Sequence, residues 1–245
     1  AAMTQVDACE DEREMCDLIN ITGVSNLIKA IGNRNTHFVH ISTDFIYEGD
    51  EEEYFEDSKV NPLSYYGRSK WKSEQLFEQV SFPYSILRTV LVYGVLQDLS
   101  RSNIVLWAKS ALEKGEKINV VDDQYRCPTL AEDLACACLQ VIQENATGVY
   151  HVSGKDFLSI LDLVFEIADY WGFDKSMINS ISTDRLNQKA RRPLKTNLNL
   201  SKAKHAFNYQ PKSFREGLKL LDETPNYEYE IIRSILKKND ADEED

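Results

Sequence analysis

Two short apolar strands, separated by a long polar loop and a helix, constrain this chain more than any other feature. "HFVHIST" at residues 37–43 is short, apolar and β-branched, and "YSILRT" at 84–89 has the same character. Between them lies an acidic loop holding "EGDEEEYFED" and ending near Pro62, followed by a helical pattern over residues 64–80. A strand, a crossover containing a helix and a second strand make a βαβ unit, whose right-handed crossover sets both strands parallel in one sheet. The alternation continues with helix 102–114, strand "KINVV", helix 130–143, strand "GVYHVS" and helix 158–171, while residues 11–31 ahead of the unit read as one helix. Beyond about residue 174 the pattern loosens, with small helices opening at "RRPLKTNLNLSKAKHAF" and "SFREGLKLL". The fold class is therefore α/β.

A chain of 245 residues, 42% hydrophobic and 28% charged, can bury a sizeable core in one large domain or two unequal ones. Its net charge of −12 argues against nucleic acid or an anionic membrane surface as the main partner. No apolar run reaches the roughly 18 residues of a membrane span, and the opening "AAMTQVDACEDERE" is too acidic for a signal peptide. Five cysteines without framework spacing fit a reducing compartment, so the expected location is the cytoplasm. Cys136 and Cys138 stand two apart on a helix and face different ways, so no metal site is expected. The tail, residues 236–245 and ending "KKNDADEED", reads as a solvated acidic end.

In open α/β sheets ligands bind beyond the carboxyl ends of the strands, which places Ser42, Thr43 and Asp44 well, and Arg88 and Thr89 beside them. Tyr66 and Lys70, four apart on the intervening helix, share a face. A cation held close to a phenol stabilises the phenolate and makes tyrosine a usable general acid and base. The threonine hydroxyl can hold a substrate oxygen against that phenol. The acidic loop between them is longer than a crossover needs, as functional loops tend to be. The competing reading of the same spacing is a packed aromatic ring and a solvated amine.

Several motifs recur in one order: Ala1-Ala2-Met3-Thr4-Gln5-Val6-Asp7, Asn20-Ile21-Thr22-Gly23, Ser42-Thr43-Asp44-Phe45-Ile46-Tyr47, Tyr66-Gly67-Arg68-Ser69-Lys70, Leu87-Arg88-Thr89 with Tyr93-Gly94, Asp123-Gln124 with Pro128-Thr129, and Arg191-Arg192-Pro193. In these the chain resembles the extended short-chain dehydrogenase/reductase family, in the branch typified by dTDP-4-dehydrorhamnose reductase. The resemblance implies a partial Rossmann-type parallel sheet with a smaller α/β substrate-binding lobe. Residues 1–145 would hold the NAD(P)-binding part, with substrate-lobe segments after about 90, and residues 146–235 most of the substrate lobe. It implies Thr43, Tyr66 and Lys70 as the catalytic triad, NADPH or NADH as cofactor, and a nucleotide-linked 4-keto-sugar as substrate. Ala1, Ala2, Thr4, Tyr66, Lys70 and Arg88 would contact the cofactor, with Asn20 supporting the site. Arg126, Arg191 and Arg192 would meet the substrate's diphosphate, with structural salt bridges as the alternative for these arginines. A homodimer is left open.

The sequence departs from that family in three places. None of its ten glycines forms the Gly-x-x-Gly-x-x-Gly turn that cradles a cofactor pyrophosphate, and the expectation is a sequence truncated ahead of Ala1. Phe45 and Leu91 stand where rhamnose reductases tend to carry Tyr and Trp, which leaves the exact keto-sugar open. The alternatives to a reductase are a non-catalytic binding protein resembling the regulatory β subunit of methionine adenosyltransferase, and an inactive remnant.

Overall fold

The computed structural model describes residues 2–95 and 103–223; the acidic tail and Ala1 lie outside them. Helices α1 (Val6–Asp11), α2 (Arg13–Asp17) and α3 (Gly23–Ile31) precede strand β1 (Phe38–Thr43). Helix α4 (Tyr65–Gln75) then leads to strand β2 (Tyr84–Thr89). The remainder comprises β3 (Val92–Tyr93), α5 (Ile104–Glu113), β4 (Ile118–Val121), β5 (Tyr125–Arg126), β6 (Thr129–Leu130), α6 (Ala131–Gln143), β7 (Gly148–His151), β8 (Leu158–Ser159), α7 (Ile160–Trp171), β9 (Ile178–Ile181), α8 (Ser201–Phe207) and α9 (Phe214–Glu223). The α/β class and the parallel βαβ unit are as the sequence implies.

Strands β1, β2 and β7 form a parallel sheet in that order, with Phe38 opposite Tyr84, Thr43 opposite Thr89, and Arg88 opposite His151. Alternation along β2 feeds two cores, since successive side chains leave a strand on opposite faces. Ile86 packs with Val24 of α3 and with Phe77 and Phe82, whereas Leu87 packs with Leu134 and Val141 of α6 and Phe207 of α8. The result is helices on both faces of a parallel sheet, the arrangement that buries such a sheet. Because β7 belongs to it, this sheet runs past the boundary expected at residue 145.

A third core gathers β4, α5, α7 and α9 through Val105, Val120, Leu163, Ile167 and Leu218. Here β4 pairs with β9 in parallel, Ile118 opposite Ile178. Ser159 caps α7 by accepting from the Asp162 N–H at 2.9 Å, and Gly172 ends it at φ 73°, a left-handed turn that glycine adopts freely. Among the described residues no helix is long and apolar enough to cross a membrane.

Two sequence expectations change. Residues 11–31 are not one helix: the chain breaks at Glu12, at φ −110° and ψ 54°, and passes through a π-helical turn over Leu18–Thr22. The wide turn turns Asn20 inward, where it meets Met3 and Ser69. The acidic loop after β1 is organised around one hydroxyl, because the backbone N–H groups of Gly49, Asp50 and Glu51 all donate to Tyr54 Oη. Tyr54 in turn donates to Asp50, and its backbone N–H donates to the carbonyl of Asn197 at 2.7 Å. This loop therefore braces the 190s segment and does not line the cavity at the end of β1.

Candidate active site

Strand β1 ends at Thr43, whose hydroxyl accepts from the Phe45 N–H at 3.3 Å and donates to Asp44 at 3.2 Å, bending the chain into a short 3-10 turn. Ser64 starts α4 as its cap, accepting from the Gly67 N–H at 3.1 Å. These two devices bring the first turn of α4 against the end of β1. Tyr66 and Lys70 then face the same cavity, of about 890 Å³, that Thr43 lines.

Tyr66 is 9% exposed, and burial pushes its pKa above the usual phenol range; Asp44 and the thiols of Cys9 and Cys16 add to this, against a hydrogen bond with Thr43. The phenol is thus kept protonated at neutral pH. Lys70 is 4% exposed, and burial brings its pKa down to about 8, with Glu74 opposing. Its ammonium donates to the Ile41 carbonyl at 2.8 Å and lies 3.5 Å from His40 Nε2. Burial, then the Lys70 charge, lowers the His40 pKa to about 3, so that imidazole is neutral and adds no competing charge. An ammonium has three donors, and those not used on Ile41 can reach hydroxyls of a bound ribose.

Asn20 fastens the site from behind. Its amide nitrogen donates to Ser69 Oγ at 2.9 Å and to the Met3 carbonyl at 3.1 Å, and its oxygen accepts from the Met3 N–H at 2.8 Å. One side chain thereby joins α4 to the segment from which Ala2 and Thr4 line the cavity.

The arginines divide. Arg126 and Arg192 line the cavity, but neither guanidinium is free. Arg126 lies 3.7 Å from the buried Asp44 carboxylate and donates to the carbonyls of Pro193 and Leu194. Arg192 pairs with Asp7 at 2.7 Å. Arg191 is exposed and does not line the cavity. Arg88 also stays out of it: its Nη2 lies 2.7 Å from Glu74, and its Nη1 donates to Tyr47 Oη at 2.7 Å and to the Glu56 carbonyl. A side chain on the central strand whose guanidinium is spent on a buried carboxylate, a phenol and a carbonyl is turned away from the cavity, so the structure does not bring Arg88 to the site. Ala1 lies outside the described residues.

Other residues line the cavity, of which the sequence points to Asp44, Phe45 and Leu91 without a catalytic or binding role and does not point to Trp107 or Gln188. Asp44 accepts from Thr196 Oγ1 at 2.6 Å, and burial raises its pKa despite Arg126. Phe45 stands edge-on to Tyr66 at 5.8 Å between ring centres, with the Arg126 guanidinium 5.7 Å from its own ring centre. Leu91, on the cavity wall, holds φ at 37°, a left-handed conformation costly for a branched side chain. Trp107, Gln124 and Gln188 complete the far side. An isolated Trp or Gln carries no signal in sequence; only the Asp123-Gln124 pair belonged to a motif.

The residues present fit the nicotinamide and ribose end of a dinucleotide: a buried ammonium with donors to spare, a protonated phenol and a hydroxyl share one cavity. The sequence profile of the RmlD substrate binding domain family matches residues 1–224. A dTDP-4-dehydrorhamnose reductase from Aggregatibacter actinomycetemcomitans is 30% identical over 89% of this chain and 77% of its own. The methionine adenosyltransferase 2 subunit beta of Xenopus tropicalis is 27% identical over 89% of this chain and 67% of its own. The crystal structure of dTDP-4-dehydrorhamnose reductase from Bacillus anthracis in complex with NADP superposes with a TM-score of 0.83 at 30% identity, over 90% of this chain and 77% of that one. A cavity built on Thr43, Tyr66 and Lys70, together with a profile match across nine-tenths of its length, shows that the chain belongs to the RmlD substrate binding domain family.

Proposed function

We propose that this chain carries the catalytic end of an NAD(P)H-dependent reductase of a nucleotide-linked 4-keto-sugar, of the dTDP-4-dehydrorhamnose type. The observation that carries the reading is the convergence of Thr43, Tyr66 and Lys70 on one cavity at the carboxyl end of β1. Tyr66 gives its phenolic proton to the ketone oxygen while Thr43 donates a hydrogen bond to the same oxygen. The charged Lys70 stabilises the phenolate left behind and holds the ribose hydroxyls. A reduced nicotinamide, when bound, supplies the hydride that the carbonyl carbon accepts. Ala2 and Thr4 flank the cofactor side, and Arg126 and Arg192 the substrate side. The reading carries with it a place in dTDP-rhamnose synthesis and a reducing, cytoplasmic compartment.

The test is ketone-dependent oxidation of NADPH or NADH, followed in the wild-type protein and in Tyr66→Phe. Loss of turnover with cofactor binding retained is the expected result. Turnover surviving the change would remove Tyr66 from proton transfer.

A second reading, a non-catalytic regulatory subunit, is supported by the 27% identity to methionine adenosyltransferase 2 subunit beta and by Phe45 and Leu91 in the sugar-facing wall. Recovery of a stoichiometric partner enzyme, together with no turnover on any keto-sugar, would favour it.

A further inference from the structure

Among the described residues, Lys70, Arg126 and Arg192 are the Lys and Arg side chains lining the cavity. With Lys70 assigned to the ribose, the other two are the cationic side chains among the described residues that can meet a diphosphate, and they are held differently. Arg126 and its partner Asp44 have side chains 4% and 2% exposed. A phosphate taking Arg126 would leave the Asp44 carboxylate buried beside it, two anions sharing one site out of water.

Arg192 is held by a partner that can leave. Its Nη2 lies 2.7 Å from Asp7 Oδ2 and its Nη1 3.2 Å from Oδ1, a fork-to-fork pair. The Arg192 side chain is 14% exposed, but that of Asp7 is 46% exposed. A carboxylate at that exposure returns to water at small cost. The Arg192 fork also keeps a separate anchor, since Nη1 donates to the Ala190 carbonyl at 3.0 Å. Asp7 does a second job: it accepts from the Ala190 N–H at 2.8 Å, so one carboxylate ties α1 to the loop carrying Gln188 and Arg192. Lys189 adds an ion pair to Asp11 on the same side.

We infer that Asp7 is a stand-in anion for the phosphates of a nucleoside diphosphate, and that ligand and Asp7 compete for the one guanidinium fork of Arg192. Carboxylate and phosphate both take that fork in a bidentate manner, so one excludes the other. Binding therefore transfers Arg192 from Asp7 to the ligand and removes one of the ties between α1 and the 188–192 loop, leaving the Ala190 N–H on Asp7 and the Lys189–Asp11 pair in place. The inference rests on the nucleotide-linked substrate proposed above and assigns the residue that gates it.

The experiment is calorimetric titration of dTDP into the wild-type protein, Asp7→Asn, Asp7→Ser, Arg192→Gln and the double variant Asp7→Asn/Arg192→Gln. Serine keeps an acceptor for the Ala190 N–H, and melting curves identify any variant that fails to fold. Removing the competitor is expected to tighten binding about two- to fivefold, the range of a half-exposed ion pair. Arg192→Gln is expected to weaken it on the order of tenfold, the loss of a charge-assisted contact. The double variant should match Arg192→Gln alone. Weaker or unchanged binding in both folded Asp7 variants, with Arg192→Gln still weakened, would show that Asp7 positions the arginine and does not compete with the ligand. Unchanged binding in Arg192→Gln would likewise overturn the exchange. No dTDP binding by the wild-type protein would overturn the nucleotide-sugar reading, and the exchange with it.

Discussion

A β carbon placed on Gly67 would lie 2.2 Å from the carbonyl oxygen of Phe45. Helix α4 and the turn after β1 thus meet backbone to backbone, and that contact sets the distance between Tyr66 and Thr43. Gly67→Ala should cost about 1–3 kcal/mol through overpacking, despite alanine's better helix propensity. If the helix shifts by around 1 Å, turnover should fall about 100-fold, because Tyr66 no longer meets the oxygen that Thr43 holds. Urea unfolding and turnover on the same variant check both. Wild-type turnover in a folded Gly67→Ala protein would show that the contact does not set the catalytic geometry.

That contact also marks how far the sequence was legible. Strand β2 and the pairing of Tyr66 with Lys70 follow from local periodicity, because alternating apolar residues and an i, i+4 spacing are written in neighbouring positions. Strand β9 was missed because "INSI" has two apolar residues and no flanking signal, and it exists through its pairing with β4. The site divides the same way. Thr43 and Lys70 belong to compact motifs, whereas the diversion of Arg88 to Glu74 and the bond from Asp7 to Arg192 join residues 14 and 185 apart. Partners so separated in the chain are chosen by tertiary packing, and no residue type announces which arginine will be spent on a carboxylate.

Lys70 carries the pH dependence. Burial lowers its pKa from an ordinary 10.5 to about 8, so the ammonium proposed to steady the phenolate is present below pH 8 and lost above it. The kcat/KM for ketone reduction should fall as pH rises through about 8, and Lys70→Met should be slow with no fall there. A wild-type profile flat to pH 9.5 would remove Lys70 from that role. The sign for stability is opposite. Between pH 8 and 10.5 the unfolded chain binds the proton that the folded one releases, so this group makes the fold more stable as pH rises across that window. Its full cost is present below pH 8, and Lys70→Met should relieve up to about 3 kcal/mol at neutral pH, less the penalty of an unpaired Ile41 carbonyl. Thermal melts of both proteins at pH 7 measure the difference.

Glu74 and Arg88 form a pair whose side chains are 2% and 3% exposed, with Ser42 donating to Glu74 and Tyr47 accepting from Arg88. Removing one charge leaves the other buried without a counterion. Glu74→Gln should therefore cost about 3–5 kcal/mol, the scale for breaking a buried ion pair. Replacing both, as Glu74→Gln with Arg88→Met, should recover a substantial part, since the uncompensated charge goes too. Denaturant midpoints of the single and double variants close the cycle. An equal loss in both would show that the network matters through its hydrogen bonds and not through charge balance.

Asn20 predicts a loss confined to the cofactor side. Its amide satisfies both backbone groups of Met3 and the hydroxyl of Ser69, at 1% exposure, and the segment it fixes places Ala2 and Thr4 on the cavity wall. Asn20→Ala takes the acceptor from the Met3 N–H, while Ser69 still donates to the Tyr66 carbonyl and the Met3 carbonyl still accepts from Cys9, so the loss should be about 1–3 kcal/mol of stability. Where the protein still folds, the freed segment must be ordered again each time a cofactor binds, so part of the binding energy is diverted to that ordering. The KM for reduced cofactor should rise on the order of tenfold, equivalent to about 1.4 kcal/mol, while kcat at saturating cofactor changes little. Amide exchange at Met3 should speed up in the same variant, since its N–H loses its acceptor. An unchanged cofactor KM alongside faster exchange would separate the two effects and leave Asn20 as a stabilising clamp with no part in cofactor binding.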